Sequence, residues 1–173
     1  MISEMIATEK LGTNRVRALM PKLNMFGESK QLGHYYRPSP DGERILLGGR
    51  RMHKQENFAK QRLHNGLTEI FPELEDTKID AYWRGFVAFP FDQLPKLAVH
   101  KGIIYPSGFC GSGTVWARWL GQKAAFMVLG EAAESAFKNL PMMTLPLYSG
   151  DPWFLPLAMS YYRLRDQFSV STK

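Results

Sequence analysis

The sequence contains a single cysteine, Cys110, among its 173 residues. One cysteine excludes an intrachain disulfide and any cysteine-rich zinc site, and it is typical of a reducing, cytoplasmic setting. The histidines also lack the close helical spacing of a metal-ligand pair, so we expect no metal site. They are His34, His53, His64 and His100.

Long apolar runs are lacking too. No stretch reaches the roughly 18 residues that a membrane-spanning helix needs. The first residues show no basic segment followed by an apolar one, so we expect neither a membrane span nor a signal peptide. Apolar residues are nevertheless abundant, at 45% of the chain with 13% aromatic. This composition excludes a disordered chain and indicates a packed core.

Acidic residues are fewer than basic ones, and the net charge is +6. Residues 1–70 account for most of it, with twelve Lys/Arg against seven Asp/Glu. A solvated basic face, an anionic ligand and nucleic acid are the three interpretations of this excess. No basic run is longer than Arg50-Arg51, and no nucleic-acid-binding motif occurs. We therefore do not expect nucleic acid as a partner.

The first part of the chain predicts antiparallel strands. Residues 3–9 fit a strand, and residues 10–20 have near-helical apolar spacing. Tyr35–Arg37 and Arg44–Leu47 flank the turn sequence PSPDG at 38–42. Proline presets φ in such a turn and glycine supplies a positive φ, so the pattern predicts a β-hairpin.

Two longer segments follow the hairpin. Gln55–Phe71 predicts an amphipathic helix that ends at Pro72. Its apolar face consists of Phe58 or Ala59, Leu63, Leu67 and Ile70. Ile79–Phe91 is rich in aromatic and β-branched residues, which predicts a long, well-buried strand.

A glycine-rich stretch, GFCGSG at Gly108–Gly113, lies between a predicted strand at Gly102–Tyr105 and a predicted helix at Val115–Leu129. Glycines let the backbone approach a ligand closely, and the helix start offers free N–H groups and a positive dipole end. Such a site stabilises a phosphate or the anionic edge of a reduced flavin. Ordinary turn geometry is the alternative, and the spacing does not match the dinucleotide fingerprint G-x-G-x-x-G.

Eight short segments occur in a characteristic order. They are MIATE (5–9), YYRPSPDG (35–42), ILLGGR (45–50), FPEL (71–74), WRG (83–85), FDQLP (91–95), GFCGSG (108–113) and LG (120–121). Together they resemble the C-terminal portion of the FAD-dependent oxidoreductases of the D-amino-acid oxidase-like superfamily. The bacterial subgroup similar to gamma-glutamylputrescine oxidase gives the best resemblance.

The resemblance implies an α+β fold. Residues 1–91 would form part of a substrate domain, with antiparallel strands and a covering helix. Residues 92–130 would form a strand–glycine loop–helix unit that completes a FAD-binding domain. The resemblance does not extend to residues 131–173, for which the sequence itself predicts a proline-punctuated C-terminal tail with a short helix at Leu157–Gln167.

The resemblance also implies oxidation of the C–N bond of an amine or amino acid, by hydride transfer to FAD. The residues at the flavin would be Gly108, Phe109, Cys110, Gly111, Ser112, Gly113 and Thr114. Those near the substrate or flavin would be Tyr36, Arg37, Trp83 and Arg84. A solvated hairpin-edge arginine, a buried strand tryptophan and a small packing cysteine are the alternatives for Arg37, Trp83 and Cys110. No catalytic residue is identified.

Such an enzyme also has a nucleotide-binding half, which these 173 residues do not match. We therefore expect a truncated enzyme section that is inactive alone and pairs with a partner chain supplying that half. The alternative is a non-catalytic interaction module that self-associates or binds a partner chain through an exposed face.

Overall fold

The computed structural model describes residues 1–51, 55–144, 148–150 and 152–170. Residues 169 and 170 are described by their backbone only. The chain forms two compact units. The sheet unit consists of Ile2–Phe86 and Trp153–Lys173, and the loop unit consists of Met1 and Val87–Pro152. His53 lies outside the described residues.

The element content confirms the predicted α+β class. In chain order, the strands are β1 (Ile2–Thr8), β2 (Phe26–Gly27), β3 (Tyr35–Pro38), β4 (Ile45–Arg50), β5 (Ile79–Phe86), β6 (Lys96–His100) and β7 (Ile103–Ser107). The helices are α1 (Thr13–Leu19), α2 (Glu56–Ile70), α3 (Gly113–Val128) and α4 (Leu155–Val170), with a 3-10 turn at Pro72–Leu74.

The sheet unit is built on five antiparallel strands in the order β2-β3-β4-β1-β5. The predicted hairpin is β3–β4, in which Tyr36 lies opposite Leu47. The Ser39 amide donates to the Arg44 carbonyl across 2.9 Å. Gly42 has a φ of +72°, as the turn chemistry predicts, because a residue without Cβ adopts that region at little cost.

Helix α2 covers one face of this sheet. Its Leu63 and Leu67 are fully buried in a cluster with the strand residues Ile6, Ile45 and Leu47. Burying one such side chain contributes roughly 1.5–3 kcal/mol. The predicted apolar face is therefore confirmed, with Ala59 and not Phe58 as its first member, because Phe58 is 60% exposed.

Strand β5 departs from its prediction. It ends at Phe86 instead of Phe91, and it is not well buried, since Trp83 is 42% and Phe86 is 91% exposed. The cause is its position at the edge of the described sheet, where it pairs with β1. Aromatic and β-branched composition predicts extended backbone, but burial depends on what covers each face.

The loop unit contains the hairpin β6–β7 followed by α3. Its two-residue turn places Lys101 and Gly102 at positive φ, which suits a tight hairpin. The predicted strand at Gly102–Tyr105 corresponds to β7, whereas β6 was not predicted. The Leu97 amide of β6 also donates to the Phe137 carbonyl across 2.9 Å, so the segment after α3 packs alongside β6.

We expect the Leu63→Ala substitution to lower the free energy of unfolding by about 2–5 kcal/mol, because it leaves a cavity between α2 and the sheet. Urea denaturation measures this change. Asn57→Ala, at an exposed position of the same helix, is the matched control and should change stability by no more than about 0.5 kcal/mol. Equal losses for the two variants would contradict the burial pattern of α2.

Candidate functional site

The glycine loop, defined here as Gly108–Thr114, connects β7 to α3. Three of its residues have positive φ, namely Gly108 at 73°, Cys110 at 51° and Gly111 at 89°. The Ser112 amide donates to the Phe109 carbonyl across 2.9 Å and closes the turn. These left-handed residues reverse the chain so that α3 begins within a few residues of the strand.

The start of α3 carries no negative group of its own. Ser112 is the N-cap residue, but its side chain makes no capping hydrogen bond, and the first turn contains no acidic residue. The Ser112 carbonyl accepts hydrogen bonds from the amides of Val115 and Trp116, at 3.1 and 3.0 Å. The two earlier amides, those of Gly113 and Thr114, have no acceptor among the described residues, so they and the positive dipole end are available for an anionic group.

The glycines of the loop differ in what surrounds them. A Cβ on Gly108 would lie 2.6 Å from Pro90 Cγ, so this glycine is required for packing. A Cβ on Gly111 would meet nothing closer than Val87 Cγ1 at 4.0 Å, and one on Gly113 nothing closer than Phe109 Cδ2 at 3.7 Å. The backbone beside the helix start is therefore open. With its N–H donors, it fits the anionic edge of a flavin.

Cys110 is a packing residue by its chemistry. Its thiol donates to the Gly108 carbonyl across 3.3 Å. Burial raises the pKa of this thiol, and the nearby Asp92 carboxylate raises it further. A thiol held in its protonated form is a poor nucleophile, which favours the packing interpretation.

An ion pair between a buried lysine and a partly exposed aspartate lies at the start of the loop unit's hairpin. Lys96 pairs with Asp92, and its side chain is only 3% exposed. The hydrogen bond from Lys96, and a second one from the Leu94 amide at 3.1 Å, lower the pKa of the Asp92 carboxyl. Lys96 was missed in the sequence, although an i, i+4 spacing to an aspartate was the available signal.

The four predicted substrate residues lie on both faces of the sheet. Tyr36 faces α2, where its ring packs at 5.5 Å edge-on to Phe71. Arg84 shares that side by register, since it lies opposite the buried Glu4. Arg37 and Trp83, each adjacent to one of these in sequence, point the other way because side chains alternate along a strand. The sheet thus separates the four into two pairs.

The face opposite α2 holds further polar residues that were not predicted. The Tyr35 hydroxyl and the Ser3 hydroxyl share a short hydrogen bond. The Tyr35 ring lies over Gly48, where an added Cβ would come within 2.4 Å of its Cε2. Met5 and Trp83 are paired in register on this same face. Strand alternation around Arg37 was the signal that pointed to Tyr35.

Within the ranges that the structure describes, no group of three or more His, Cys, Asp or Glu side chains is arranged to hold a metal ion. In the same ranges, no helix has the length and apolar character needed to cross a membrane.

We expect Asp92→Asn to destabilise the fold at neutral pH, because it leaves the Lys96 ammonium buried without its carboxylate. The pKa of Asp92 is lowered in the folded state. The pair therefore contributes fully to stability above the pKa of about 3.9 in the unfolded chain, and this contribution is lost as the pH falls through the folded-state pKa. The difference in the free energy of unfolding between wild type and variant should therefore become smaller below about pH 4. Urea unfolding across this pH range measures it.

The control for this prediction is Asp80→Asn. Asp80 pairs with Arg44, but its side chain is 53% exposed, so its removal should change stability little. A pH-independent loss in Asp92→Asn would show that the ion pair is not its cause.

Comparisons with known proteins find that the chain is similar to parts of oxidoreductases, while no protein-family model matches it. Over 87% of its length it is 31% identical to the probable oxidoreductase OrdL of Rhizobium meliloti, covering 36% of that protein. Over 97% of its length it is 29% identical to gamma-glutamylputrescine oxidoreductase of Escherichia coli, covering 40% of that protein. The chain thus spans about two-fifths of the relatives it matches.

A solved structure also has a similar fold. Glycine oxidase from Geobacillus kaustophilus matches 86% of this chain with a TM-score of 0.62 and 19% identity, and the match covers 39% of that enzyme. The chain is therefore similar in sequence to a part of these oxidoreductases and similar in fold to a part of glycine oxidase.

Proposed function

We propose that this chain is the C-terminal section of a FAD-dependent oxidoreductase that oxidises the C–N bond of an amine or amino acid. The observation that carries the proposal is the uncapped start of α3 beside the open glycine loop, in a chain related to oxidoreductases. The names gamma-glutamylputrescine oxidoreductase and glycine oxidase contain an amine derivative and an amino acid, which supports this substrate class. A reducing, cytoplasmic setting belongs to the same proposal.

The glycine loop would hold the flavin by its pyrimidine edge. FAD, when bound, supplies the chemistry by accepting a hydride from the carbon next to the amine nitrogen. Backbone amides at the start of α3 would donate to the edge that gains negative charge, and the helix dipole would stabilise that charge. Gly111 and Gly113 would allow this approach because their side-chain positions are open.

The sheet unit would contribute substrate contacts. Arg37 and Trp83 lie on the face opposite α2, where a guanidinium would pair with a carboxylate and an indole ring would cover an alkyl chain. Tyr36 borders a cavity of about 390 Å³ on the other side, together with Phe26, Phe71 and Lys22. Arg84 is exposed on the same side as Tyr36. The assignment of these four residues to substrate stays a prediction.

We also propose that the 173-residue chain neither holds FAD tightly nor turns over substrate alone. The loop offers contacts to one edge of the isoalloxazine ring, and the sequence contains no G-x-G-x-x-G fingerprint for the pyrophosphate. A partner chain would supply that part.

A chimera tests this function. The part of E. coli gamma-glutamylputrescine oxidoreductase outside the matched segment is joined to this chain, and flavin absorbance and its anaerobic bleaching by amines are measured. We expect bound flavin and bleaching in the chimera, and neither in the chain alone. In the chimera, Gly111→Val should weaken flavin binding about tenfold or more, because a β-branched residue is strained at a φ of 89° and fills the approach.

Gly121→Ala is the matched control in the chimera, since this helical glycine has open space around it and an alanine favours the helix. It should keep the flavin. A folded chimera without flavin would contradict the proposal, and a yellow isolated chain with amine-dependent oxygen uptake would contradict its second part.

The second candidate function is that of a non-catalytic interaction module, which self-associates or binds a partner chain. Several large apolar side chains of the loop unit are each more than half exposed, which favours a covering partner. They are Val99, Ile103, Val115, Val128, Leu129, Met142 and Met143.

We expect the isolated chain to self-associate or to bind a hydrophobic dye, and Leu129→Lys to reduce both, since it places a charge in this apolar set. Size-exclusion chromatography with light scattering measures the mass. The control is Ala132→Lys, an exposed small residue nearby. A monomer that binds no dye would remove this candidate.

A further inference from the structure

A separate cavity of about 530 Å³ lies in the sheet unit, on the side of the sheet that α2 covers. Its walls come from the segment 30–34 that leads into β3, from α2 and from α4. Neither the glycine loop nor the four predicted substrate residues line it. Its volume lies within the range of small-molecule binding sites.

The walls carry more positive than negative charge. The cations are Lys30, Arg62 and Arg163, against the carboxylates of Glu69 and Asp166. Lys30 is itself paired with Glu28 at 3.0 Å, so the excess charge rests on the two arginines. The Asp166 carboxylate is already engaged, because its two oxygens accept the backbone amides of residues 31 and 32 at 2.8 and 2.9 Å. This contact fastens α4 to the edge of the cavity, so it fixes Arg163 there without neutralising it.

Arg62 is held in the wall of the cavity with part of its guanidinium unsatisfied. One terminal nitrogen donates to the Arg50 carbonyl across 2.8 Å, while its Nε is buried without a hydrogen-bond partner among the described residues. Burial lowers the pKa of Arg62, and the positive charge of Arg163 lowers it further. Two guanidinium groups from α2 and α4 therefore repel each other across one cavity.

The carboxylate that attracts Arg62 is Glu4, which is fully buried in β1. Glu4 accepts a hydrogen bond from the Tyr82 hydroxyl at 2.9 Å and pairs with Arg51 at 3.3 Å. The Glu4 carboxylate therefore offsets part of the positive charge of Arg62, but it also interacts with Tyr82 and Arg51. It does not line the cavity, and Arg163 keeps its charge there.

His34 adds a second unsatisfied group to the same wall. Its Nδ1 lies 3.0 Å from a Glu28 oxygen, whereas its Nε2 is buried without a partner among the described residues. The ring fits against two glycines: a Cβ on Gly66 would lie 2.5 Å from His34 Cε1, and one on Gly49 would lie 3.2 Å from Cδ2. These glycines leave room for a polar ring at a place where apolar packing would otherwise be expected.

We propose that this cavity binds a small molecule through an oxyanion group, a carboxylate or a phosphate, held between Arg62 and Arg163. An oxyanion there relieves the repulsion between the two guanidinium groups and accepts from their planar N–H donors, which match its geometry. The site is separate from the proposed flavin loop, so it is a second ligand site of this chain and does not depend on the function proposed above.

Isothermal titration calorimetry of the 173-residue chain with succinate and with inorganic phosphate tests the proposal and distinguishes the two sources of the group. We expect one-to-one binding of at least one probe. Arg163→Gln should weaken it about tenfold or more, the usual cost of losing a charge-assisted hydrogen bond. Arg163 is exposed and on the last helix, so the variant should stay folded, as circular dichroism will verify.

Arg165→Gln is the matched control, because it removes the same charge from α4 at an exposed position that does not line the cavity. It should bind the probe within about twofold of wild type, because an exposed charge outside the cavity is screened by water and salt. No binding of either probe up to about 10 mM overturns the proposal. Equal weakening by Arg163→Gln and Arg165→Gln, or none by Arg163→Gln, overturns it as well.

Discussion

The burial of α2 against the antiparallel sheet is the constraint on which the sheet unit depends. Leu63 and Leu67 are removed from water on the strand residues Ile6, Ile45 and Leu47. This apolar contact selects which face of the sheet is covered, and strand alternation then assigns every other side chain to one face or the other. The positions of Tyr36 and Arg37 on opposite faces follow directly from it.

The same contact brings polar groups into the covered side. Glu4, His34 and Arg62 all lie on the α2 side of the sheet, where Glu4 is fully buried and the other two are half-buried beside the cavity. Each is tied by at least one hydrogen bond or ion pair, and each retains one buried atom without a partner among the described residues. Buried polar atoms without partners are costly, and two of the three belong to His34 and Arg62, which line one cavity, so they favour a ligand there.

In the loop unit, the candidate site is formed by the backbone of the glycine loop and of the helix start. Gly108 is needed because Pro90 occupies the space of a side chain, whereas Gly111 leaves its space open. Gly108 is thus required for packing, whereas Gly111 leaves the start of α3 accessible to a ligand. An uncapped helix start without acidic residues is electrostatically suited to an anionic partner, and a flavin edge is one such partner. Cys110, with its raised thiol pKa, belongs to the packing side of this division.

The sequence by itself determined the local elements and the similarity to oxidoreductases. Apolar periodicity located α2 and its buried residues, turn residues located the β3–β4 hairpin, and glycine spacing located the loop before α3. These signals are local, so they survive without knowledge of the rest of the chain. Tertiary structure alone decided that β5 lies at the sheet edge with Trp83 exposed. It also brought Arg62 and Arg163 to one cavity from positions about a hundred residues apart. Burial and long-range proximity depend on which surfaces meet, and no local pattern along the chain records that.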